Sequence, residues 1–278
     1  MVDKHFGLDA YSPSQVAAKV TTVGVTKCAM PVLQTFVLAV LAGAFIAFGA
    51  MFYTLAVTGN SAGFGATRVF GGLAFSLGLI LVVVGGAELF TGNNLIAMAW
   101  AGRKVTTRLL LRNWFWVYLG NLVGSLGSAV LFYLSGCLGL GDGAVAATVV
   151  KIASAKTSLP FDEAIVRGVL CNTLVCLAVW LCMAARSVVD KVVAIVFPIT
   201  AFVALGFEHS VANMYLIPIG MLSAAAFPEI TAAPTLNVGG FLHNLAAVTL
   251  GNIFGGSVLV ALVYYFVYIR GKGSGFQR

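Results

Sequence analysis

Two carboxylates and one imidazole stand where an apolar sequence has least use for charge. Glu88 interrupts the pass between Arg68 and Arg103, and Glu208 with His209 interrupts the pass between Lys191 and Glu229. Ionisable groups at membrane depth are costly unless they face protein or water, so they mark function by default. Both carboxylates sit in one frame, G-x-E-x4-N: Gly86-Ala87-Glu88 is followed by Asn93, and Gly206-Phe207-Glu208 by Asn213. Of the three histidines, His5 and His243 fall near the ends of passes, whereas His209 lies mid-pass beside a carboxylate. Imidazole titrates near neutral pH, so proton transfer is the chemistry it offers. Nothing points to an enzyme, a cofactor or a metal. The five cysteines form no CxxC and pair with no histidine, and Cys171, Cys176 and Cys182 share an apolar run where buried thiols are expected.

The elements carrying these groups are membrane helices. The chain is 60% hydrophobic and 9% charged, against about 25% charged in soluble domains. The charge of +7 does not suggest nucleic acid, because the basic residues sit singly between apolar runs. With roughly 20 apolar residues needed per crossing, spans are expected near 33–57, within 68–103, at 113–134, at 164–185, within 191–229 and at 240–269. The Gly-rich stretch 136–143 begins an external connection. Lys/Arg bias sets orientation. With the N-terminus in the cytoplasm, twelve of the 16 basic residues are cytoplasmic, including Lys4, Lys27, Lys272 and Arg278, while Arg68, Lys151, Lys156 and Arg167 are outside. No secretory leader is expected. Ser12-Pro13-Ser14-Gln15 reads as a capping box opening a helix with Val16, Val20 and Val23 on one face, either interfacial or a plain soluble arm.

The halves of the chain resemble each other. Asn113 to Gly124 and Asn244 to Gly255 both read N-x6-G-N-[LI]-x-G at an offset of 131, and the two G-x-E-x4-N segments repeat at an offset of 120. Three spans per copy make the repeat inverted, as in transporters and channels with a central site. Gly85, Gly86 and Gly92 flank Glu88. Two broken helices meeting near a pore are therefore expected. A straight helix whose Glu pairs with an Asn on another span is the alternative.

Gly86-Ala87-Glu88-Leu89-Phe90-Thr91-Gly92-Asn93 and Gly206-Phe207-Glu208-His209-Ser210-Val211-Ala212-Asn213 resemble the two broken-helix loops of the formate/nitrite transporter family. The resemblance covers nearly the whole chain, including Lys156, the Arg167-to-Trp180 segment and the Gly-Asn-Ile motif at Gly251. The His-containing loop with Phe75, Leu79 and Phe202 is most similar to the family's bacterial formate channels. The resemblance implies an all-α, aquaporin-like homopentamer with one pore per protomer. It implies a periplasmic constriction of Phe75, Leu79 and Phe202, and a cytoplasmic slit of Leu89 and Phe90. Thr91 and His209 would face each other in the pore. Lys156 and Asn172 would supply a positive charge and an amide donor, with Glu88, Glu208, Asn93, Asn213 and Asn252 in support. On composition alone the apolar residues among these are packing residues, Lys156 a loop lysine and Asn172 an interhelical hydrogen bond.

The implied division is a cytoplasmic N-terminal helix over 1–30, a first repeat over 31–135, an external connection over 136–160, a second repeat over 161–270 and a cytoplasmic tail over 271–278. The implied setting is a bacterial inner membrane with both termini cytoplasmic. The implied activity is pH-dependent, proton-coupled passage of formate. A bare carboxylate in a dry constriction carries a large desolvation cost, and a protonated acid avoids most of it. His209 is the proton donor on this reading. Transfer is uphill by about 3.5 kcal/mol between unperturbed groups in water, but it turns two charges into two neutral groups, which a dry site favours. Lys156 would concentrate anions at the mouth. Other small anions (nitrite, hydrosulfide, acetate or lactate) and a neutral-solute channel for water or glycerol stand as alternatives.

Overall fold

The computed structural model describes residues 11–270. Lys4, His5, Lys272, Arg278 and the tail 271–278 lie outside the described residues. Helix α1 (Pro13–Ala29) opens on the capping box, with the Ser12 hydroxyl accepting from Gln15 N–H and the Gln15 side chain accepting from Ser12 N–H. It is followed by α2 (Val32–Val57) and α3 (Phe64–Gly85). After a break come the short α4 (Phe90–Asn93), a 3-10 turn (Asn94–Ile96) and α5 (Ala97–Ala101). Helix α6 (Thr107–Leu134) starts six residues before the expected span because Thr106 caps it. The second half runs α7 (Ala144–Thr157), α8 (Phe161–Ala184), α9 (Val188–Leu205), a second break, α10 (Ser210–Ala226) and α11 (Val238–Ile253). A π-helical stretch (Phe254–Leu262) then leads into α12 (Val263–Tyr268). Among the described residues six helices, the last of them continuous from Val238 to Tyr268, are long and apolar enough to cross a membrane.

The halves are inverted copies. Helix α2 packs along α3 and α6, α8 packs along α9 and α11, and α3 faces α9 across the centre. Each copy is one helix larger than its spans. Helix α1 belongs to the first, and α7, which occupies most of the connection 136–160, belongs to the second. Neither is a loose arm. Val16, Ala17, Val20 and Cys28 of α1 are buried, as are Val145, Val149, Val150 and Ala153 of α7. Helix α1 docks on α5, α8 and the 3-10 turn, so its apolar face meets protein rather than a lipid surface.

The repeated motif ends in glycine because the helices touch backbone to backbone. A Cβ on Gly124 would stand 2.0 Å from Val40 O, and one on Gly255 would stand 2.2 Å from Val169 O. Small residues at helix contacts permit this approach in a membrane, where packing rather than water drives association. Gly124→Val should therefore force α2 and α6 apart. The expected loss exceeds the ~1–3 kcal/mol of ordinary overpacking, because the obstacle is backbone. Size-exclusion profiles and melting temperatures in detergent measure it, and a variant that melts like the wild type would mean the helices can separate freely.

Candidate functional site

Each break is held open by the same set of side chains. Helix α3 ends at Gly86 (φ +78°) and α9 at Gly206 (φ +75°), left-handed turns that glycine adopts without strain. The chain then runs as residues 86–89 and 206–209 before helix resumes. Backbone unwound at this depth must find partners within the protein. Asn121 donates to Glu88 O (2.9 Å) and accepts from Phe90 N–H (2.9 Å). In the second copy Asn252 donates to Glu208 O (3.0 Å) and accepts from Ser210 N–H (2.9 Å).

The carboxylates do not face the path bare. Lys27 Nζ donates to Glu88 Oε1 at 2.7 Å and to Asn93 Oδ1 at 2.9 Å, and Asn93 Nδ2 donates to Glu88 Oε2 at 2.7 Å and to Asn113 Oδ1 at 3.0 Å. The mirror set is Lys156 Nζ to Glu208 Oε1 at 2.9 Å, with Asn213 Nδ2 to Glu208 Oε2 at 2.6 Å and to Asn244 Oδ1 at 2.7 Å. Lys27 and Lys156 each complete the ring by accepting, through their own carbonyls, from Asn113 and Asn244. Lys156 is thus a paired cation anchoring α7 to the second break, not a free loop lysine. Lys27 does the same for α1. Its role escaped sequence reasoning, although it precedes Lys156 by 129 residues, close to both repeat offsets.

Two cavities approach the breaks. One of about 290 Å³ is lined by Lys27, Leu79, Glu88, Leu89 and Asn93, with Val20, Val23 and Gly24 of α1 forming a wall. The other, about 850 Å³, is lined by Phe75, Lys156, Phe202, Glu208 and His209, with Arg68, Lys151 and Arg167 nearer its rim. The four basic residues expected on one side of the membrane all line this second cavity. Lys156 is paired with Glu208 and Arg167 with Glu163 (3.0 Å), so Arg68 and Lys151 supply the excess of positive charge that makes it an attractive mouth for an anion.

The apolar side chains divide between the two. Leu79 and Leu89 line the first cavity, and Phe75 and Phe202 line the second, ring centroids 5.6 Å apart and edge to face. Leu79 therefore faces the opposite cavity from Phe75 and Phe202, one turn along α3, rather than joining them in one ring. Phe90 lines neither cavity. It packs edge-on against Trp114 (6.1 Å) and Tyr118 (4.9 Å), because its backbone is tied to Asn121 on the same helix.

His209 stacks on Phe202 (5.9 Å, 20°), and its Nε2 lies 2.9 Å from Thr91 Oγ1. His209 also caps α10: its Nδ1 accepts from Ala212 N–H at 3.0 Å. An accepting Nδ1 places the proton of the neutral ring on Nε2, which then donates to Thr91. Thr91 and Asn172 are fully buried. Asn172 Nδ2 points at Thr91 O (3.3 Å), Asn94 Oδ1 (2.7 Å) and Asn252 O (2.7 Å), so this amide ties the first broken segment to α11 beside the residue that holds the second break. The π-helical stretch lets Gly256 pass beside it, where a Cβ would stand 2.4 Å from Asn172 Nδ2.

The sequence profile of the formate/nitrite transporter family matches residues 14–266. The formate channel FocA of Escherichia coli is 42% identical over 273 residues, which cover 94% of this chain and 96% of that protein. A probable formate transporter of Methanothermobacter thermautotrophicus is 37% identical, covering 93% of this chain and 97% of its own length. Among solved structures, a pentameric formate channel with formate bound matches at a TM-score of 0.78 and 39% identity, over 86% of this chain and 98% of that one. An ion channel of the same family matches at 0.82 and 29% identity, over 91% of this chain and 99% of that one.

Proposed function

The chain belongs to the formate/nitrite transporter family, and from that premise we propose that it passes formate across a bacterial inner membrane through a pore in each subunit of a homopentamer. Both termini face the cytoplasm on this reading. The observation that carries it is the pair of cavities, one with an excess of cations, each lined by apolar side chains toward the breaks, with a Thr91–His209 hydrogen bond between the two broken segments. A cationic mouth collects anions, and an apolar ring admits a neutral acid far more readily than its anion. Lys156 acts while paired with Glu208, and Asn172 acts by holding Thr91 in place. Glu88, Asn93, Asn213 and Asn252 support the breaks. Leu79 and Leu89 are the barrier on the α1 side.

Coupling to protons runs through His209, with a condition set by its hydrogen bonds. A neutral imidazole that gave up its Nε2 proton would become an imidazolate, so a donor must first carry protons on both nitrogens. Its Nδ1 then has to release Ala212 N–H, and the first turn of α10 must shift or fray. The capped Nδ1 favours a second reading, in which His209 stays neutral, orients the solute through Nε2–H and leaves protonation to water in the cavities.

Uptake into proteoliposomes by a panel of small anions and glycerol, at pH 5 and pH 7, tests the reading. Formate should enter faster at pH 5, and nitrite or hydrosulfide uptake exceeding it severalfold would reassign the substrate. Glycerol uptake without pH dependence would remove the anion reading altogether. The constriction has its own test. Phe202→Ala removes the ring that meets Phe75 and His209, so formate flux should rise severalfold and discrimination against butyrate should weaken. An assembled variant with wild-type flux would place the barrier elsewhere.

A further inference from the structure

The two breaks are closed differently where their first helices end. The end of α3 is closed by backbone alone: Gly86 and Ala87 N–H both donate to Val82 O. The end of α9 has a like backbone closure, with Gly206 N–H donating to Val203 O and Phe207 N–H to Phe202 O, and adds a charge. Arg68, on the first turns of α3, donates through Nη2 to Val203 O (3.2 Å) and through Nε to Ala204 O. These carbonyls are among the last of α9, which carry the negative end of the helix dipole; Val203 O also accepts from Gly206 N–H, and Ala204 O lies beyond the last helical donor. The guanidinium is half-buried and lies 5.6 Å from the Phe64 ring. Its Nη2 lies so near Gly206 that a Cβ there would stand 2.7 Å from it. Arg68, Phe75, Phe202 and Gly206 line one cavity.

We propose that Arg68 is the positioning residue of the Phe75–Phe202 constriction. It staples α3 to the end of α9, so that the two rings, one from each helix, hold their edge-to-face contact while the adjoining break stays unwound. It also covers carbonyl oxygens that would otherwise repel an anion in the same cavity. A planar guanidinium can serve two neighbouring carbonyls at fixed angles. A lysine ammonium keeps the charge without that fork. This role of Arg68 rests on the transport reading, and wild-type formate uptake must be present before any variant is judged. Its absence would sink that reading and not the staple.

The test compares Arg68→Lys and Arg68→Gln, each alone and combined with Phe202→Ala, for uptake of formate against butyrate at low and high salt. If Arg68 acts by positioning, both single variants assemble as oligomers and the formate-to-butyrate preference falls in both. The expected fall is roughly tenfold, the scale of one lost charge-assisted hydrogen bond. The fall should vanish in the Phe202→Ala background, because the ring being positioned is gone. Three results overturn the proposal. Arg68→Lys could keep wild-type preference while Arg68→Gln raises the formate KM in a salt-dependent way, which makes Arg68 an attractor. The effects of Arg68 and Phe202 could add independently. Both Arg68 variants could fail to assemble, which makes Arg68 a folding residue.

Discussion

Replacing Lys156 with Met should leave little correctly assembled protein, and adding Glu208→Gln to the same chain should restore much of it. The Lys156 side chain is 15% exposed and that of Glu208 is 5%, so removal of the cation strands a carboxylate inside the protein. Breaking a buried pair from one side costs about 3–5 kcal/mol, whereas removing both charges is often close to neutral. The loss reaches further than one contact. Glu208 also accepts from Asn213, and Asn213 is tied through Asn244 to the carbonyl of Lys156 itself. The ring therefore holds α7, the second break and α11 together. Melting temperature and size-exclusion profile in detergent give the stability outcome, and a single variant that melts like the wild type would show that the pair contributes nothing. The double variant separates structure from transport. If it assembles but takes up formate poorly at low ionic strength, the charge of Lys156 also draws anions toward the constriction. Lys27→Met should behave similarly but more mildly, since that side chain is 24% exposed and water can partly solvate Glu88.

His209→Asn should assemble normally and lose the dependence of formate flux on pH between about 5 and 8, the range in which an unperturbed imidazole changes charge. Assembly should survive because the helix cap that His209 provides, accepting Ala212 N–H at the start of α10, is a duty asparagine performs well. Uptake at acid pH should fall most, toward the rate at pH 7. His209→Leu removes the cap as well, and should melt lower by the equivalent of about 1 kcal/mol. Matched gradients at several pH values compare wild type with variant. An unchanged pH profile in His209→Asn would favour the neutral-imidazole reading, in which water in the cavities supplies the proton.

What the sequence determined by itself was everything that repeats or runs continuously along it. Six apolar stretches sized to a bilayer, two G-x-E-x4-N interruptions and two glycine motifs at near-constant offset were enough for an all-α bundle of inverted repeats with two broken helices. These signals are local and periodic, and the bilayer enforces them because unpaired backbone is so costly in lipid. The tertiary structure decided what each polar side chain does, since that depends on which helices approach and on rotamer. Glu88 needed a cation, and the one that reaches it lies 61 positions earlier, on a helix that the sequence marks as interfacial or a soluble arm. Lys156 looked like a free charge until α7 folded against Glu208. Leu79 and Phe75 are one turn apart on α3 yet face opposite cavities, and Phe90 turns to Trp114 and Tyr118 because its backbone is fixed by Asn121. Arg68 carried no sequence signal beyond its sign. Only the approach of α3 to the end of α9 sets its guanidinium on two carbonyls of that helix's last turn, a contact spanning 136 positions that no local pattern encodes.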